Sequence, residues 1–102
     1  MQEVTIVRIY INEGEHQLKS LMKRLHDWEK VRGVTVFRGI SGFGESGKMH
    51  DTSLVDLSLN LPVVVEFFDT PDKIDAILEH LDSEIKPGHM VKWSAQVNGD
   101  HN

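Results

Sequence analysis

The sequence predicts an α+β fold: a four-stranded antiparallel sheet with two helices on one face. Three observations lead there. Each half of the chain repeats one strand–helix–strand pattern, a long connection of about residues 43–60 separates the halves, and 102 residues suit a single domain, 1–102. In such a β-α-β-β-α-β order, right-handed crossovers carry both helices to the same side of the sheet, the ferredoxin-like arrangement.

The first strand is read in residues 3–11, a dense β-branched and aromatic run that suits a largely buried strand. Asn12-Glu13-Gly14 breaks it. From His16 onward Leu18, Leu21, Met22, Leu25, Trp28 and Val31 recur at helical spacing, with Lys19, Lys23, Arg24 and Glu29 opposite, and Gly33 is placed to cap the helix. Val34 to Ile40 is the second strand and Leu61 to Phe68 the third, with Pro62 at its entrance. Thr70-Pro71 reads as a helix start, an N-cap hydroxyl followed by proline at the first helical position. Ile74, Ile77, Leu78, Leu81 and Ile85 mark the buried stripe of that helix, and Pro87-Gly88 stops it. In the last strand Val91, Trp93, Ala95 and Val97 alternate with Lys92, Ser94 and Gln96, so one face is expected to be buried.

The first and third strands are apolar at nearly every position, yet two helices cover only one side of a sheet. Val4, Ile6, Val63 and Val65, or else their alternates, must face something other than helices, and a second copy of the chain is the economical answer: a homo-oligomer.

Composition excludes more than it selects. Lys and Arg number 11 against 16 Asp and Glu, a net charge of −5 that disfavours a general nucleic-acid binder. With no cysteine, disulfide frameworks, thiol nucleophiles and Cys-based zinc sites are absent, and a reducing, cytoplasmic home fits. No apolar run reaches the ~20 residues that span a bilayer, and no secretory leader is legible, so membrane insertion is not expected.

Ser41-Gly42-Phe43-Gly44-Glu45-Ser46-Gly47-Lys48 satisfies G-x-G-x-x-G and the opening of G-x-x-x-x-G-K-[ST]. Both patterns fail on context. Met49 stands where a magnesium-holding Ser or Thr is required, and four strands are too few for a dinucleotide-binding sheet. What remains is either a backbone anion nest with Lys48 beside it or a simple turn. The long connection that follows carries Met49, Leu54, Val55, Leu57 and Leu59, too apolar for a mere linker, and its part from Thr52 to Leu59 forms a short helix or packs on a neighbour.

The run Arg38-Gly39-Ile40-Ser41-Gly42-Phe43-Gly44, then Ser46-Gly47, His50, Leu54, Asp56-Leu57-Ser58 and Leu61-Pro62-Val63-Val64-Val65-Glu66, with Arg8-Ile9-Tyr10 and Asp69, resembles the PII-like family catalogued as domain of unknown function one-ninety. The resemblance runs from about Val4 to Val97. It implies a homotrimer similar to PII signalling proteins, which bind adenine nucleotides between subunits and act on partners through a long loop. On that resemblance Gly42, Phe43 and Gly44 lie against the nucleotide, and Glu45, Ser46, Gly47 and Lys48 continue along its phosphates. Phe68, or its neighbour Phe67, supplies the adenine contact, and Gly88-His89 takes the place of a Gly-Lys phosphate grip. Histidine for lysine, and an Asn98-Gly99-Asp100-His101-Asn102 end without basic residues, favour AMP, ADP or a cyclic adenine nucleotide over ATP.

Other constellations are weaker. The histidines at 16, 26, 50, 80, 89 and 101 include no i, i+4 pair, so no metal site is read. Ser46, Ser53 and Ser58 near His50 lack an orienting group and an oxyanion site, so no catalytic residue is assigned. Glu66 reads as paired with Arg8 or Arg38, and Trp28 and Trp93 read as core. The expected function is a non-enzymatic regulatory trimer that senses an adenine nucleotide and gates a partner such as a membrane transporter or enzyme. An enzyme acting on a phosphorylated substrate at the glycine-rich segment, or an interaction module with no ligand, are the alternatives.

Overall fold

The computed structural model describes residues 1–12, 17–43, 50–51 and 61–99. Strand β1 (Gln2–Asn12) leads into helix α1 (Gln17–Lys23), which continues as a π-helical turn (Arg24–Glu29). Strand β2 (Val34–Arg38) is followed by two short strands, β3 (Ser41–Gly42) and β4 (His50–Asp51). Then come β5 (Pro62–Asp69), α2 (Pro71–Leu81), a 3-10 turn (Asp82–Glu84) and β6 (Met90–Val97). The main sheet has the order β2-β5-β1-β6, and β1–β5, β1–β6 and β2–β5 are all antiparallel. This is the α+β, ferredoxin-like architecture that the two-half pattern implies.

The two apolar strands occupy the centre, each paired with a strand on either side. Val7, Ile9 and Ile11 of β1 and Val63, Val65 and Phe67 of β5 face the helices and meet Leu21 and Leu25, and Ile74, Ile77 and Leu81 of α2. Each such side chain withdrawn from water contributes ~1.5–3 kcal/mol against the entropy of ordering the chain. Helix α2 starts as its sequence directs: the Thr70 hydroxyl oxygen accepts from Lys73 N–H at 3.4 Å, with Pro71 in the first turn.

The alternates in β1 and β5, Ile6, Arg8, Tyr10, Val64, Glu66 and Phe68, lie on the side without helices. Cross-strand register adds Phe37, Val91 and Trp93 to that side. Tyr10, Phe37, Val91 and Trp93 are all exposed. Near its centre Arg8 donates to Glu66 at 2.6 Å, and its guanidinium carbon lies 5.9 Å from the Phe37 ring centre and 5.7 Å from that of Trp93. The Glu66 hydrogen bond, and after it Tyr10, push the guanidinium pKa further above its ordinary value.

Two expectations are corrected. Trp28 is 76% exposed and Trp93 41% exposed, so neither indole is core. For Trp28 the cause is the π-helical turn, whose i→i+5 bonds rotate the residues after Leu25 off the α-helical stripe. For Trp93 the cause is the side of the sheet it occupies. The helix cap is also not Gly33. Lys30 takes the left-handed conformation (φ 52°, ψ 50°) and donates its N–H to Leu25 O, and Val31 N–H reaches the same oxygen at 3.2 Å. The Lys73 ammonium donates to the Lys30 carbonyl at 2.6 Å, holding that cap from α2. The stretch from Thr52 to Leu59 lies outside the described residues.

Candidate functional site

The chain leaves β2 and passes over the start of β5 at close quarters. Gly39 N–H donates to Pro62 O at 2.7 Å, and a Cβ at Gly39 would meet Pro62 Cγ at 2.8 Å. A Cβ at Gly42 would lie 3.2 Å from the same carbon. A side chain is excluded at Gly39, and at Gly42 it would fit only if the Pro62 ring gave way by a few tenths of an ångström. Ser41 and Gly42 then pair with Asp51 and His50, a two-residue ladder that no sequence alternation announces.

Across the sheet end, Lys86-Pro87-Gly88-His89 forms a type II turn. His89 N–H donates to Lys86 O at 3.0 Å, and Gly88 has φ +85°, the conformation this turn demands of its third residue. The helix has already ended by Glu84, with Ile85 extended, so proline and glycine here build the turn and do not stop the helix as the sequence suggests. The turn sets Lys86 and His89 side by side at its two ends.

Between these features lies a cleft of about 530 Å³. Gly42, Phe43 and His89, all singled out by the sequence, line it together; Phe43 is 69% exposed at its edge. Tyr10, Phe37, Arg38 and Lys86 also line it, and sequence reasoning had assigned none of these four to the site. The signals existed: Arg38 opens the glycine-bearing run, and Lys86 is the first residue of a Pro-Gly turn. The charge distribution is one-sided. In a chain with net charge −5, the described lining residues include Arg38, Lys86 and His89 and no Asp or Glu. Such a wall focuses attraction on anions.

Other named residues lie elsewhere. Phe68 sits near the opposite end of β5, paired with Ile6, with the Arg32 guanidinium 5.6 Å from its ring centre; Phe67 is in the core. Gly88 is part of the turn and does not line the cleft. Gly44, Glu45, Ser46, Gly47 and Lys48 lie outside the described residues. Glu66 is taken by Arg8, one of its two anticipated partners.

Beside Phe68, Asp69 is nearly buried. Its carboxylate accepts from Thr70 N–H at 2.8 Å and Arg32 N–H at 3.1 Å, with the Lys73 ammonium at 3.3 Å. Burial works to raise its pKa, but the two N–H donors and Lys73 outweigh it and hold the carboxyl below its ordinary range. A second hollow, of about 590 Å³, lies on the helix side by Trp28. Its carboxylate, Glu29, is already met by His80 at 3.0 Å and Arg24 at 3.8 Å. Among the described residues no cluster of three or more His, Asp and Glu is placed to hold a metal ion, and no helix is long and apolar enough to cross a membrane.

Comparison with known proteins gives the family and the fold. The family model described as "Uncharacterized ACR", DUF190, matches residues 4–97. A UPF0166 protein of Methanocaldococcus jannaschii is 34% identical over 96 residues, covering 89% of this chain and 87% of its own. One from Aquifex aeolicus is 39% identical over 88 residues, covering 82% and 80%. Among solved structures, the PII-like protein CPII of Thiomonas intermedia bound to ADP and bicarbonate superposes with a TM-score of 0.69 at 19% identity, over 95% of this chain and 90% of that one. The same protein bound to ADP, AMP and bicarbonate gives 0.68 at 16% identity, with the same coverage. CutA1 from Oryza sativa gives 0.62 at 13% identity, over 98% and 84%. At these identities the structures show a shared fold.

Proposed function

The chain belongs to the DUF190 family of PII-like proteins, and from that premise we propose that it is a regulatory protein that binds an adenine nucleotide in the cleft between Phe43 and the Lys86–His89 turn. The observation that carries this reading is the lining itself: exposed aromatic rings beside a set of basic groups with no carboxylate among the described residues. An aromatic ring suits a base and basic groups suit phosphates. CPII, which shares the fold, is seen with ADP and AMP. With histidine at the turn in place of lysine, AMP or ADP is favoured over ATP. Gly44, Glu45, Ser46, Gly47 and Lys48 continue the path of the phosphates, and Gly88 shapes the turn. Phe68, distant from the cleft within one chain, joins a nucleotide site only across a subunit boundary.

The working unit is a homotrimer in the cytoplasm. The helix-free side of the sheet, with Tyr10, Phe37, Val91 and Trp93 exposed around the Arg8–Glu66 pair, supports burial against other copies of the chain. Nucleotide in the cleft favours one posture of segment 43–60 over another, by its differential affinity for the two. That segment acts on a partner protein such as a membrane transporter or enzyme, without turnover of the nucleotide.

Thermal melting against AMP, ADP and ATP tests the reading. A nucleotide at a hundredfold over its dissociation constant stabilises by ~2.7 kcal/mol, a shift of roughly 10 °C or more in a domain of this size. No shift at millimolar nucleotide overturns the assignment, and steady product release from the nucleotide moves the protein to the enzymes. Sedimentation equilibrium should return three times 11.6 kDa.

A further inference from the structure

Tyr10 and His89 stand one step beyond the Ile9–Met90 pair, where the next rung of the β1–β6 ladder belongs. In such an antiparallel rung each residue donates its N–H to the other's carbonyl. Tyr10 N–H does donate to His89 O, at 2.9 Å, but His89 N–H is committed to Lys86 O across the turn. The imidazole takes its place, with Nδ1 at 3.1 Å from Tyr10 O. A carbonyl oxygen only accepts, so Nδ1 carries its proton in the neutral and the cationic ring alike. The second ring nitrogen, Nε2, has no partner among the described residues.

We propose that His89 is a proton-gated anion contact of the cleft. With Nε2 protonated it donates a charge-assisted hydrogen bond to a phosphate or sulfate oxygen; with Nε2 bare it presents a lone pair that repels the same oxygen. The inference rests on the nucleotide reading of the cleft and deepens it, because site occupancy then follows pH. The other titratable and charged residues described along the cleft are Tyr10 of β1, Arg38 at the end of β2 and Lys86 of the turn, with the neutral Gln17 of α1 beside them. Arginine, lysine and tyrosine side chains ordinarily keep their charge states between pH 5 and 8, whereas imidazole changes its own in that span. No carboxylate among the described lining residues holds the ring charged in the empty cleft. The bound anion supplies that partner, so binding takes up a proton and tightens as pH falls.

The terminal phosphate of AMP or ADP itself takes up a proton near pH 6. The test therefore uses probes of fixed charge, cyclic AMP and sulfate, titrated into the protein at pH 5.5, 6.5 and 8. Affinity is expected to be about tenfold higher at pH 5.5 than at pH 8. His89→Asn, whose amide can still donate to Tyr10 O but which lacks the second nitrogen, should bind at the pH 8 level throughout. His89→Lys should bind as tightly at pH 8 as at pH 5.5. Nitrogen-15 NMR of the free protein at pH 8 should find Nδ1 protonated and Nε2 bare. The opposite tautomer, or a pH dependence that survives in His89→Asn, overturns the proposal. Cyclic AMP bound with one affinity at all three pH values overturns the gate and leaves the nucleotide site standing. Sulfate gated through His89 without any binding of cyclic AMP supports the gate and counts against the nucleotide. If neither probe binds, both readings fall.

Discussion

At the end of the sheet where β5 finishes, Asp69 is 6% exposed and both carboxylate oxygens accept hydrogen bonds, from the Thr70 and Arg32 N–H groups, with Lys73 alongside. At the end where β5 begins, Arg38, Lys86 and His89 line a cleft with no described carboxylate among them. Donors and charges are present at both ends. At the Asp69 end the chain supplies its own anion and seals the corner between β5, α2 and the α1–β2 connection. At the cleft end the described lining residues include no carboxylate, which suits an anion from outside. Whether a polar cluster is structural or receptive depends here on whether the chain furnishes both partners.

The largest effect should come from breaking the sealed end. Asp69→Ala leaves the Thr70 and Arg32 N–H groups without their acceptor and should cost about 3 kcal/mol, read as a lower urea midpoint at unchanged slope. An unchanged midpoint would mean that water replaces the carboxylate and that the corner is not sealed. Acid makes the same cut in the native chain. Because the folded carboxyl is held below its ordinary range, its contribution is fully present above the unfolded-state value of about 3.9 and is lost as pH falls through the lower folded value. Urea midpoints of the native protein and Asp69→Asn should accordingly converge towards pH 2.

Next is Gly88→Val at the open end, which forces a β-branched residue to φ +85°. A loss of about 2 kcal/mol is expected, together with weaker nucleotide binding as the Lys86–His89 turn deforms. Asn, which tolerates this conformation, should cost less; equal losses for Val and Asn would indicate that the turn is not what matters. Thr70→Ala removes the α2 cap and should cost about 1 kcal/mol in the same urea assay, with nucleotide affinity unaltered. The smallest stability change belongs to Phe43→Ala, within ~0.5 kcal/mol because the ring is mostly exposed. Its nucleotide dissociation constant should nevertheless rise about tenfold in calorimetric titration, the loss of one base–aromatic contact. A silent Phe43→Ala would remove the ring from the site.

What the sequence discloses follows the range of the interaction. Thr70-Pro71 states its structure within a few residues, because a cap is a local device. Alternation and helical spacing locate the four main strands and both helices for the same reason. Trp28 misleads because a single π-helical turn changes the angular step between residues, and nothing in its neighbours' identities signals that change. Trp93 misleads differently: period-two alternation shows that β6 has an apolar face but not which side of the sheet the helices cover. At the cleft, Gly42 is legible from its glycine motif, whereas Phe43 and His89 are named only through the family resemblance. The ring bond from His89 to Tyr10 joins positions 79 apart in sequence, and it exists only because a backbone donor is spent elsewhere.

The crossing of Gly39 over Pro62 has a consequence for how the sheet is held beside the cleft. The two residues are joined by a 2.7 Å hydrogen bond and by a contact too close for any side chain at position 39, so the exit from β2 and the entry to β5 are fastened to each other. Neither fastening uses residues 44–60. A change at Gly39 or Pro62 would disturb the sheet itself, because both fastenings run through these two residues. The architecture thus fastens the frame beside the cleft through two residues alone, whatever segment links them.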